Sequence, residues 1–298
     1  MRQQKAQTDS GLVCEQVFFD PDGSGSEIVV GDALRVLQSL KNSSFRCCIT
    51  SPPYWGLRDY AIDGQIGAEE RLDHYLARLR DVFAEVRRVL TEDGTLWLNI
   101  GDCYTSGNRT WRAEDDKNPG RAMDYRPPTP EGLKPKDLVG VPWRLAFALQ
   151  TDGWYLRSEI IWHKPNCQPE SVKDRPTRAH EHVFLLSKAE QYYYDYEAAR
   201  EPALGSRRWR NRRTVWSVNT ESFNGAHFAT FPRSLVEPCV AAATAEGDRV
   251  LDPFLGSGTV GEVALRLSRC FLGIELNPDY AQIALRRLGW RASANGLW

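Results

Sequence analysis

The stretch that decides the fold reads RVLDPFLGSGT and occupies residues 249–259. An apolar run enters it, glycines follow at Gly256 and Gly258, and a helical pattern begins at its end. Glycine permits a tight turn and lets a ligand approach the backbone N–H groups at the start of a helix. The next apolar run ends in Glu275, an acid that can accept hydrogen bonds from ribose hydroxyls. Because no Gly-Lys-Ser/Thr follows the glycines, the series predicts a cofactor site other than one for a nucleoside triphosphate.

A second short stretch, TSPPYW at residues 50–55, follows another buried apolar run. Its two prolines stiffen the backbone and lack N–H groups, so their carbonyls are free to accept hydrogen bonds. Ser51 adds a hydroxyl acceptor and Tyr54 adds a flat face. Acceptors beside an aromatic ring suit a heterocycle that carries an amino group. A proline-rich turn with two packing aromatics is the structural alternative.

Short apolar runs alternate with helical patterns along most of the chain. This alternation predicts an α/β fold with a mostly parallel sheet and helices on its faces. Strands are predicted at residues 27–30, 45–50, 95–100, 158–163, 182–187, 249–252 and 270–275. Helices are predicted at residues 33–40, 71–90, 138–150, 232–244, 258–267 and from 278 onward, and Asp93–Gly94 is predicted to turn the chain into its third strand.

The predicted elements lie within residues 27–290, which we interpret as one domain. Residues 1–26 are predicted to be a flexible polar lead-in, and residues 291–298 a C-terminal tail. Residues 103–136 mix glycine, proline and charges without periodicity, which predicts a surface insertion. Residues 188–226 include an aromatic and arginine-rich stretch.

The composition narrows the class of protein. The 298 residues carry a formal net charge of −1, so no global positive field indicates nucleic acid. The seven cysteines follow no metal-ligand spacing, so we expect no metal site and reduced thiols in a cytoplasmic protein. The N-terminus lacks the apolar segment of a signal peptide, and no apolar run approaches the ~18 residues of a membrane span, so no membrane association is expected.

Together the two short stretches resemble a known family. Ser-Pro-Pro-Tyr at 51–54 resembles the catalytic motif of DNA amino-methyltransferases, the enzymes that make N4-methylcytosine or N6-methyladenine. The stretch from Asp252 to Thr259 resembles their cofactor motif, and the order of the two motifs resembles the β group of the family. The resemblance covers roughly residues 27–290 and includes Gly31-Asp32, LWLNIGD at 96–102, IWHKP at 161–165, PESVKDRPT at 169–177 and HFATFP at 227–232.

The resemblance implies the Rossmann-like fold of S-adenosylmethionine-dependent methyltransferases. That fold has a seven-stranded sheet, here expected to be circularly permuted so that the cofactor-binding strands come last. One antiparallel strand is expected within residues 158–187, and Ser51 is expected to face Gly256. The implied cofactor is S-adenosylmethionine, and the residues implied to bind it are Asp32, His227, Phe228, Asp252, Phe254, Gly256, Gly258, Thr259 and Glu275.

The resemblance also implies a mechanism for residues Ser51, Pro52, Pro53 and Tyr54. Ser51 and the Pro52 carbonyl would hold the amino hydrogens of a flipped-out base stacked on Tyr54, which directs the nitrogen lone pair at the methyl group. The rival chemistry is a cysteine nucleophile after proline, as in cytosine-C5 enzymes. Pro238-Cys239 has that order, but its apolar helical setting predicts a core thiol.

Double-stranded DNA is the implied partner. Residues 188–226 are predicted to be the DNA-recognition segment. Contacts to DNA are predicted for Lys164 and for an arginine run around Trp209, namely Arg207, Arg208, Arg210, Arg212 and Arg213. A solvated surface run and a solvated lysine are the structural alternatives. The resemblance leaves open a homodimer and a cognate restriction endonuclease as further partners.

The product is predicted to be N4-methylcytosine, because Ser at position 51 is commoner among cytosine methylators and Asp or Asn among adenine methylators. N6-methyladenine is the alternative. Methylation of RNA or of protein glutamine, and a catalytically silent DNA-binding module, are the remaining hypotheses.

Overall fold

The fold is built on one twisted sheet. A computed structural model of the chain describes residues 16–60, 62–106, 111, 126–203, 205, 208–221 and 231–290. Nine strands form the sheet in the order β1-β2-β11-β10-β3-β4-β6-β5-β9, and two short strands, β7 and β8, pair separately.

The strands and helices have the following bounds. The strands are β1 Gln16–Phe19, β2 Glu27–Val30, β3 Phe45–Thr50, β4 Leu90–Ile100, β5 Tyr155–His163, β6 His180–Ser187, β7 Glu201–Pro202, β8 Trp209–Arg210, β9 Val215–Ser217, β10 Arg249–Asp252 and β11 Cys270–Glu275. The helices are α1 Ala33–Ser39, α2 Leu72–Val89, α3 Val141–Thr151, α4 Arg233–Ala243, α5 Thr259–Arg266 and α6 Pro278–Leu288.

The mostly parallel α/β sheet predicted from the sequence is confirmed. Five strands in the middle of the sheet pair with one another in parallel, in the order β2, β11, β10, β3 and β4. Strand β6 is antiparallel to both β4 and β5, so the antiparallel strand lies within the predicted residues 158–187. The circular permutation stays a prediction.

Two edge strands extend the expected set of seven. Gln16–Phe19 pairs antiparallel with β2, so the predicted lead-in 1–26 is wrong for these residues. Val215–Ser217 pairs parallel with β5, which places part of the segment 188–226 in the main sheet. Both strands are short. Strand β1 pairs with the next strand along the chain, whereas β9 pairs with β5, which is far away in the sequence.

The predicted turn at Asp93–Gly94 lies inside a strand. Strand β4 begins at Leu90, directly after α2, and its pairing with β3 shifts between Phe45↔Leu90 and Cys47↔Thr95. The residues between these pairs form a bulge, which absorbs extra residues without ending the strand.

Helices cover both faces of the sheet. Side chains of α1, α2 and α3 form one apolar core with one face, and those of α4, α5 and α6 form a second core with the other. Among the described residues, no helix has both the length and the apolar character needed to cross a bilayer.

The predicted insertion begins and ends at one point beside the sheet. Its described residues form no helix or strand, but Tyr104 makes a β-bridge with Leu138. Asp102 Oδ1 accepts hydrogen bonds from the backbone N–H groups of Cys103, Gly140 and Val141, at 2.9, 2.9 and 3.0 Å. A single carboxylate therefore holds both ends of the insertion.

Helix α5 packs unusually close to β11. Gly261 completes a G-x-G-x-x-G pattern with Gly256 and Gly258, and a Cβ atom at Gly261 would lie 2.6 Å from the Phe271 ring. The third glycine of such a pattern permits close packing of helix and strand. This packing sets how near the start of α5 lies to the ends of β10 and β11.

We predict that Gly261→Ala destabilises the protein. In an unhindered helix this change would stabilise by about 1 kcal/mol, whereas overpacking a core costs about 1–3 kcal/mol. Because the new methyl group meets an aromatic ring, we expect a net loss of about 1–2 kcal/mol in the free energy of unfolding, measured by urea denaturation. An unchanged or increased free energy of unfolding would contradict the close packing.

Candidate active site

One pocket lies at the carboxyl edge of the sheet, where β2, β3, β10 and β11 end. Residues from both sequence motifs line it, so the structure brings Ser51 and Gly256 to one cavity. The lining includes Asp32, Ser51, Pro52, Pro53, Tyr54, Tyr60, Phe254, Gly256, Thr259, Glu275 and Tyr280. Ligands of open α/β sheets bind at this edge.

The glycine turn opens the backbone toward the pocket. Gly256 has a φ of +54°, and a Cβ atom there would meet only Phe254 O, at 3.9 Å. The Gly256 N–H donates a 2.8 Å hydrogen bond to Glu275 Oε2, and the Asn277 N–H donates one of the same length to Oε1. Glu275 is thus fixed by backbone on both oxygens, with acceptor capacity remaining for a ligand hydroxyl.

Burial raises the pKa of Glu275 to about 7, although the backbone N–H groups of Asn277 and Gly256 favour the carboxylate. A donor hydroxyl at this carboxylate would favour the ionised form further. A ligand that donates a hydroxyl hydrogen to Glu275 would therefore couple its binding to loss of a proton near neutral pH.

Asp252 lies behind the turn and is almost fully buried. Its Oδ1 accepts hydrogen bonds from Thr50 Oγ1 at 2.7 Å and from the Phe254 N–H at 3.1 Å. Burial raises the pKa of Asp252 to about 7. Asp252 does not line the pocket, so these contacts give it the role of joining the end of β3 to the turn.

The other predicted cofactor residues differ in position. Asp32, Phe254 and Thr259 line the pocket, and Asp32 also accepts a 3.0 Å hydrogen bond from the Arg35 N–H as the N-cap of α1. Gly258 does not line the pocket. It has a φ of +83°, and a Cβ atom there would lie 3.0 Å from Ala284 Cβ. The predictions for His227 and Phe228 fall outside the described residues.

Ser51 and Tyr54 belong to a hydrogen-bonded cluster beside the glycine turn. Ser51 Oγ donates to Tyr54 Oη at 3.3 Å, and Tyr54 Oη donates to Glu181 Oε2 at 2.8 Å. The Nδ2 group of Asn99, which has two hydrogens to share, lies within hydrogen-bonding distance of Ser51 Oγ, Tyr54 Oη and Glu181 Oε2, at 3.3, 3.0 and 3.1 Å. The cluster fixes both side chains before any substrate binds.

Packing fixes the ring of Tyr54 as well. A Cβ atom at Gly101 would lie 2.6 Å from the ring, so only glycine permits this contact. Burial, followed by the nearby charge of Glu181, raises the pKa of the Tyr54 hydroxyl well above its usual value, which keeps it protonated. The carbonyl of Pro53 accepts a 2.9 Å hydrogen bond from the Tyr75 hydroxyl, and this bond stabilises the loop that follows β3.

Asn99 and Glu181 are not among the site residues predicted from the sequence. Asn99 is the only polar residue in the apolar run 96–100, a pattern that could have identified it. Glu181 immediately precedes the predicted strand 182–187 and has no local feature that marks it. Lys164 forms an ion pair with Glu181, and its Nζ lies 4.1 Å from the centroid of the Trp162 ring. These two contacts engage the ammonium group that was predicted to contact phosphate.

The arginine run is only partly available to a partner. Arg210 pairs with Glu201 at 2.9 Å, and Arg212 donates to the Ala199 carbonyl and lies over the Trp216 ring. Arg208 and Arg213 are exposed, as is Trp209 at 63%. Arg207 falls outside the described residues.

The cysteine alternative receives no support from the structure. Cys239 lies inside α4 with 2% of its surface exposed. Burial raises the pKa of its thiol well above the usual value, which disfavours the nucleophilic thiolate.

The sheet order and the pocket define an open α/β fold with a ligand site at the carboxyl edge of its sheet, and comparison with known proteins gives the family. A sequence model described as DNA methylase, of the N6 and N4 methyltransferases, matches residues 45–286. The chain belongs to this DNA methylase family.

Individual relatives agree with the family. The chain is 64% identical to the type II methyltransferase M.Cfr9I of Citrobacter freundii over 89% of this chain and 88% of the relative. It is 63% identical to the type II methyltransferase M.SmaI of Serratia marcescens over 88% of this chain and 90% of the relative.

Solved structures share the fold. The PvuII DNA methyltransferase, described as cytosine-N4-specific, matches with a TM-score of 0.67 at 23% identity over 88% of this chain and 86% of that one. A protein of Thermus thermophilus, described as a putative DNA modification methylase, was solved in complex with S-adenosyl-L-methionine. It matches with a TM-score of 0.61 at 28% identity over 87% of this chain and 91% of that one.

We predict that affinity for S-adenosylmethionine falls as the pH drops below about 7. Glu275 has a pKa raised to about 7 and would accept ribose hydrogen bonds best when ionised. Binding at pH 6 should therefore be roughly tenfold weaker than at pH 8. Calorimetry in buffers of different ionisation enthalpy should show proton release at pH 6–7.

Glu275→Gln is the matched control, since it keeps the shape of the side chain and removes its titration. It should bind more weakly at pH 8 and lose most of the pH dependence. Wild-type affinity that is constant from pH 6 to pH 8 would contradict the coupling.

Proposed function

We propose that this DNA methyltransferase transfers a methyl group from S-adenosylmethionine to the N4 amino group of cytosine in double-stranded DNA. The setting we infer is a type II restriction-modification system, because the similar proteins M.Cfr9I and M.SmaI are type II methyltransferases. A cognate restriction endonuclease is then the expected biological counterpart. The observation that carries the choice of base is the neutral hydroxyl of Ser51 beside the glycine turn.

The pocket suits the cofactor in its shape and in the hydrogen-bonding and aromatic groups that line it. The open backbone at Gly256 permits close approach of a ligand, and Glu275 provides an acceptor for ribose hydroxyls. Tyr60 and Tyr280, whose ring centroids lie 6.0 Å apart, add aromatic surface to the same wall. When bound, S-adenosylmethionine supplies a methyl group on a positively charged sulfur.

The protein's part in the reaction is to orient a weak nucleophile. The lone pair of an exocyclic amino group is delocalised into the base, so the nitrogen needs an acceptor that favours a pyramidal geometry. Ser51 Oγ and the Pro52 carbonyl are the acceptors we assign to the amino hydrogens. Acceleration then comes from positioning and electrostatics, without a covalent bond to the base.

The target base must leave the duplex, because its amino group is inaccessible within the stack. We infer that the extruded base lies against Tyr54, whose ring lines the pocket and is held over Gly101. A ring that is already fixed loses little conformational entropy when the base binds.

We predict N4-methylcytosine as the product. A serine hydroxyl is a weaker acceptor than the carboxylate found in many adenine methylators. The test is to methylate unmodified genomic DNA with the purified protein, digest it to nucleosides and identify them by mass spectrometry. N6-methyladenine alone would contradict the choice of base but not the assignment as a DNA methyltransferase.

The DNA-contacting surface we propose is narrower than the whole arginine run. Arg208 and Arg213 are exposed and lie on either side of the exposed Trp209, whereas Arg210 and Arg212 are half-buried. Exposed arginines with an aromatic residue between them suit contacts to phosphates and bases.

We predict that Arg213→Ala lowers the slope of log affinity against log salt by about one unit for DNA binding. The loss of one phosphate contact releases about one fewer counterion. Fluorescence anisotropy over a series of salt concentrations measures this slope. Cofactor affinity should not change.

The matched control is Arg286→Ala, another exposed arginine, in the last turn of α6 and therefore far from the carboxyl edge. It should leave the slope at the wild-type value. Equal slopes for the wild type and Arg213→Ala would mean that the arginine is only solvated.

A further inference from the structure

A buried ion pair lies next to the Ser51–Tyr54 cluster. Lys164 follows the end of β5, and Glu181 lies near the start of β6, so both lie at the carboxyl edge. Each side chain is only 16% exposed. Burying two charges costs free energy unless further hydrogen bonds compensate. Glu181 accepts such hydrogen bonds from Tyr54 and Asn99.

Glu181 is the end of a chain of hydrogen bonds with a fixed direction. An ionised carboxylate can only accept, so Tyr54 Oη, 2.8 Å away, must donate to it. Tyr54 then has only lone pairs to offer to Ser51, 3.3 Å away, and the Ser51 hydrogen points to Tyr54. At least one lone pair of Ser51 Oγ is therefore available to the pocket.

The side-chain amide of Asn99 is oriented in agreement with this direction of hydrogen bonding, since it presents its donor group to the cluster. Its Nδ2 group faces three oxygens of the cluster, including Glu181 Oε2 at 3.1 Å. Its Oδ1 atom is buried without a hydrogen-bond partner among the described residues. The reverse orientation would place Oδ1 against a carboxylate, so Glu181 also fixes how the amide faces.

We propose that Glu181, paired with Lys164, is a positioning residue that makes Ser51 Oγ an acceptor for the amino group of the target base. Lys164 holds Glu181 in place, Glu181 orients the Tyr54 hydroxyl, and Tyr54 orients the Ser51 hydroxyl. Without the carboxylate, Ser51 is free to rotate its hydrogen toward the base, where it would meet the amino hydrogens.

The charge state of Glu181 supports this direction. Burial would raise the pKa of Glu181, but the charge of Lys164 and hydrogen bonds from Lys164, Tyr54 and Asn99 outweigh burial and lower it. The carboxylate is thus ionised at neutral pH and acts only as an acceptor. This assignment gives Lys164 a role inside the protein in place of the predicted phosphate contact.

The proposal rests on the acceptor role that we assigned to Ser51, so the experiment includes that residue. The variants are Glu181→Gln, Ser51→Ala and their double variant. The amide of Gln matches the shape of Glu but can donate as well as accept, so the chain can reverse. Single-turnover methylation of unmodified genomic DNA with labelled S-adenosylmethionine measures the rate.

We predict that Glu181→Gln lowers the single-turnover rate on the order of 10²-fold, as expected for a misoriented reacting group. The KM values for DNA and cofactor should change by no more than about threefold, because the contacts that bind both substrates are intact. In the double variant, Glu181→Gln should add little to the loss from Ser51→Ala, since it acts through Ser51.

Two further variants separate positioning from folding. Glu181→Gln combined with Lys164→Gln leaves no unpaired buried charge and should be equally slow at a wild-type Tm. Glu159→Gln is the matched control. Glu159 accepts a 2.7 Å hydrogen bond from His182 in the same strand pair but points to the opposite face of the sheet, so its rate should stay at the wild-type value.

The outcomes distinguish the two proposals. A slow Ser51→Ala with a wild-type rate for Glu181→Gln would overturn the positioning role and leave the proposed function standing. Independent, multiplied losses in the double variant would also overturn it. A wild-type rate for Ser51→Ala would instead overturn the acceptor role of Ser51, and the positioning role with it.

Discussion

The hydrogen bond between Thr50 and Asp252 is the contact on which the site depends. It joins two residues 202 positions apart in the sequence, at the adjacent ends of β3 and β10. The Ser-Pro-Pro-Tyr motif begins at the next residue after Thr50, and the glycine turn begins after Asp252. Because both groups are buried, the bond is shielded from water. Its loss would leave the Thr50 hydroxyl unsatisfied in the core, and Asp252 Oδ1 would keep only the hydrogen bond from the Phe254 N–H.

This contact explains why the two halves of the site can be so far apart in the chain. Parallel pairing of β3 with β10 sets their relative height, and the side-chain bond then sets the position of the loops that leave them. Glu275 extends the same arrangement by accepting from the backbone on both sides of its own strand end. The Ser51 motif and the glycine turn thus line one pocket without either loop being long.

Local features account for the parts of the fold that the sequence predicts well. The bounds of β2, β3, β10 and β11 match the predicted runs, because each run is short, apolar and ended by glycine, proline or a charged residue. Strands β1 and β9 were not predicted because they are short, at four and three residues, and lie at the two edges of the sheet. The residues around Ser51 were found from their motif, but Glu181 was not, since its role depends on an antiparallel strand and a lysine brought from β5.

The carboxylate of Asp102 has a consequence for how such enzymes diversify. Because Asp102 binds the backbone where residues 103–136 leave the sheet and again shortly after they return, the two ends of this segment are held together by one side chain. Evolution can lengthen, shorten or exchange this segment while the strands beneath it keep their spacing. The hydrogen bonds of Asp102 thus allow the same sheet and catalytic edge to carry different surface insertions at this position.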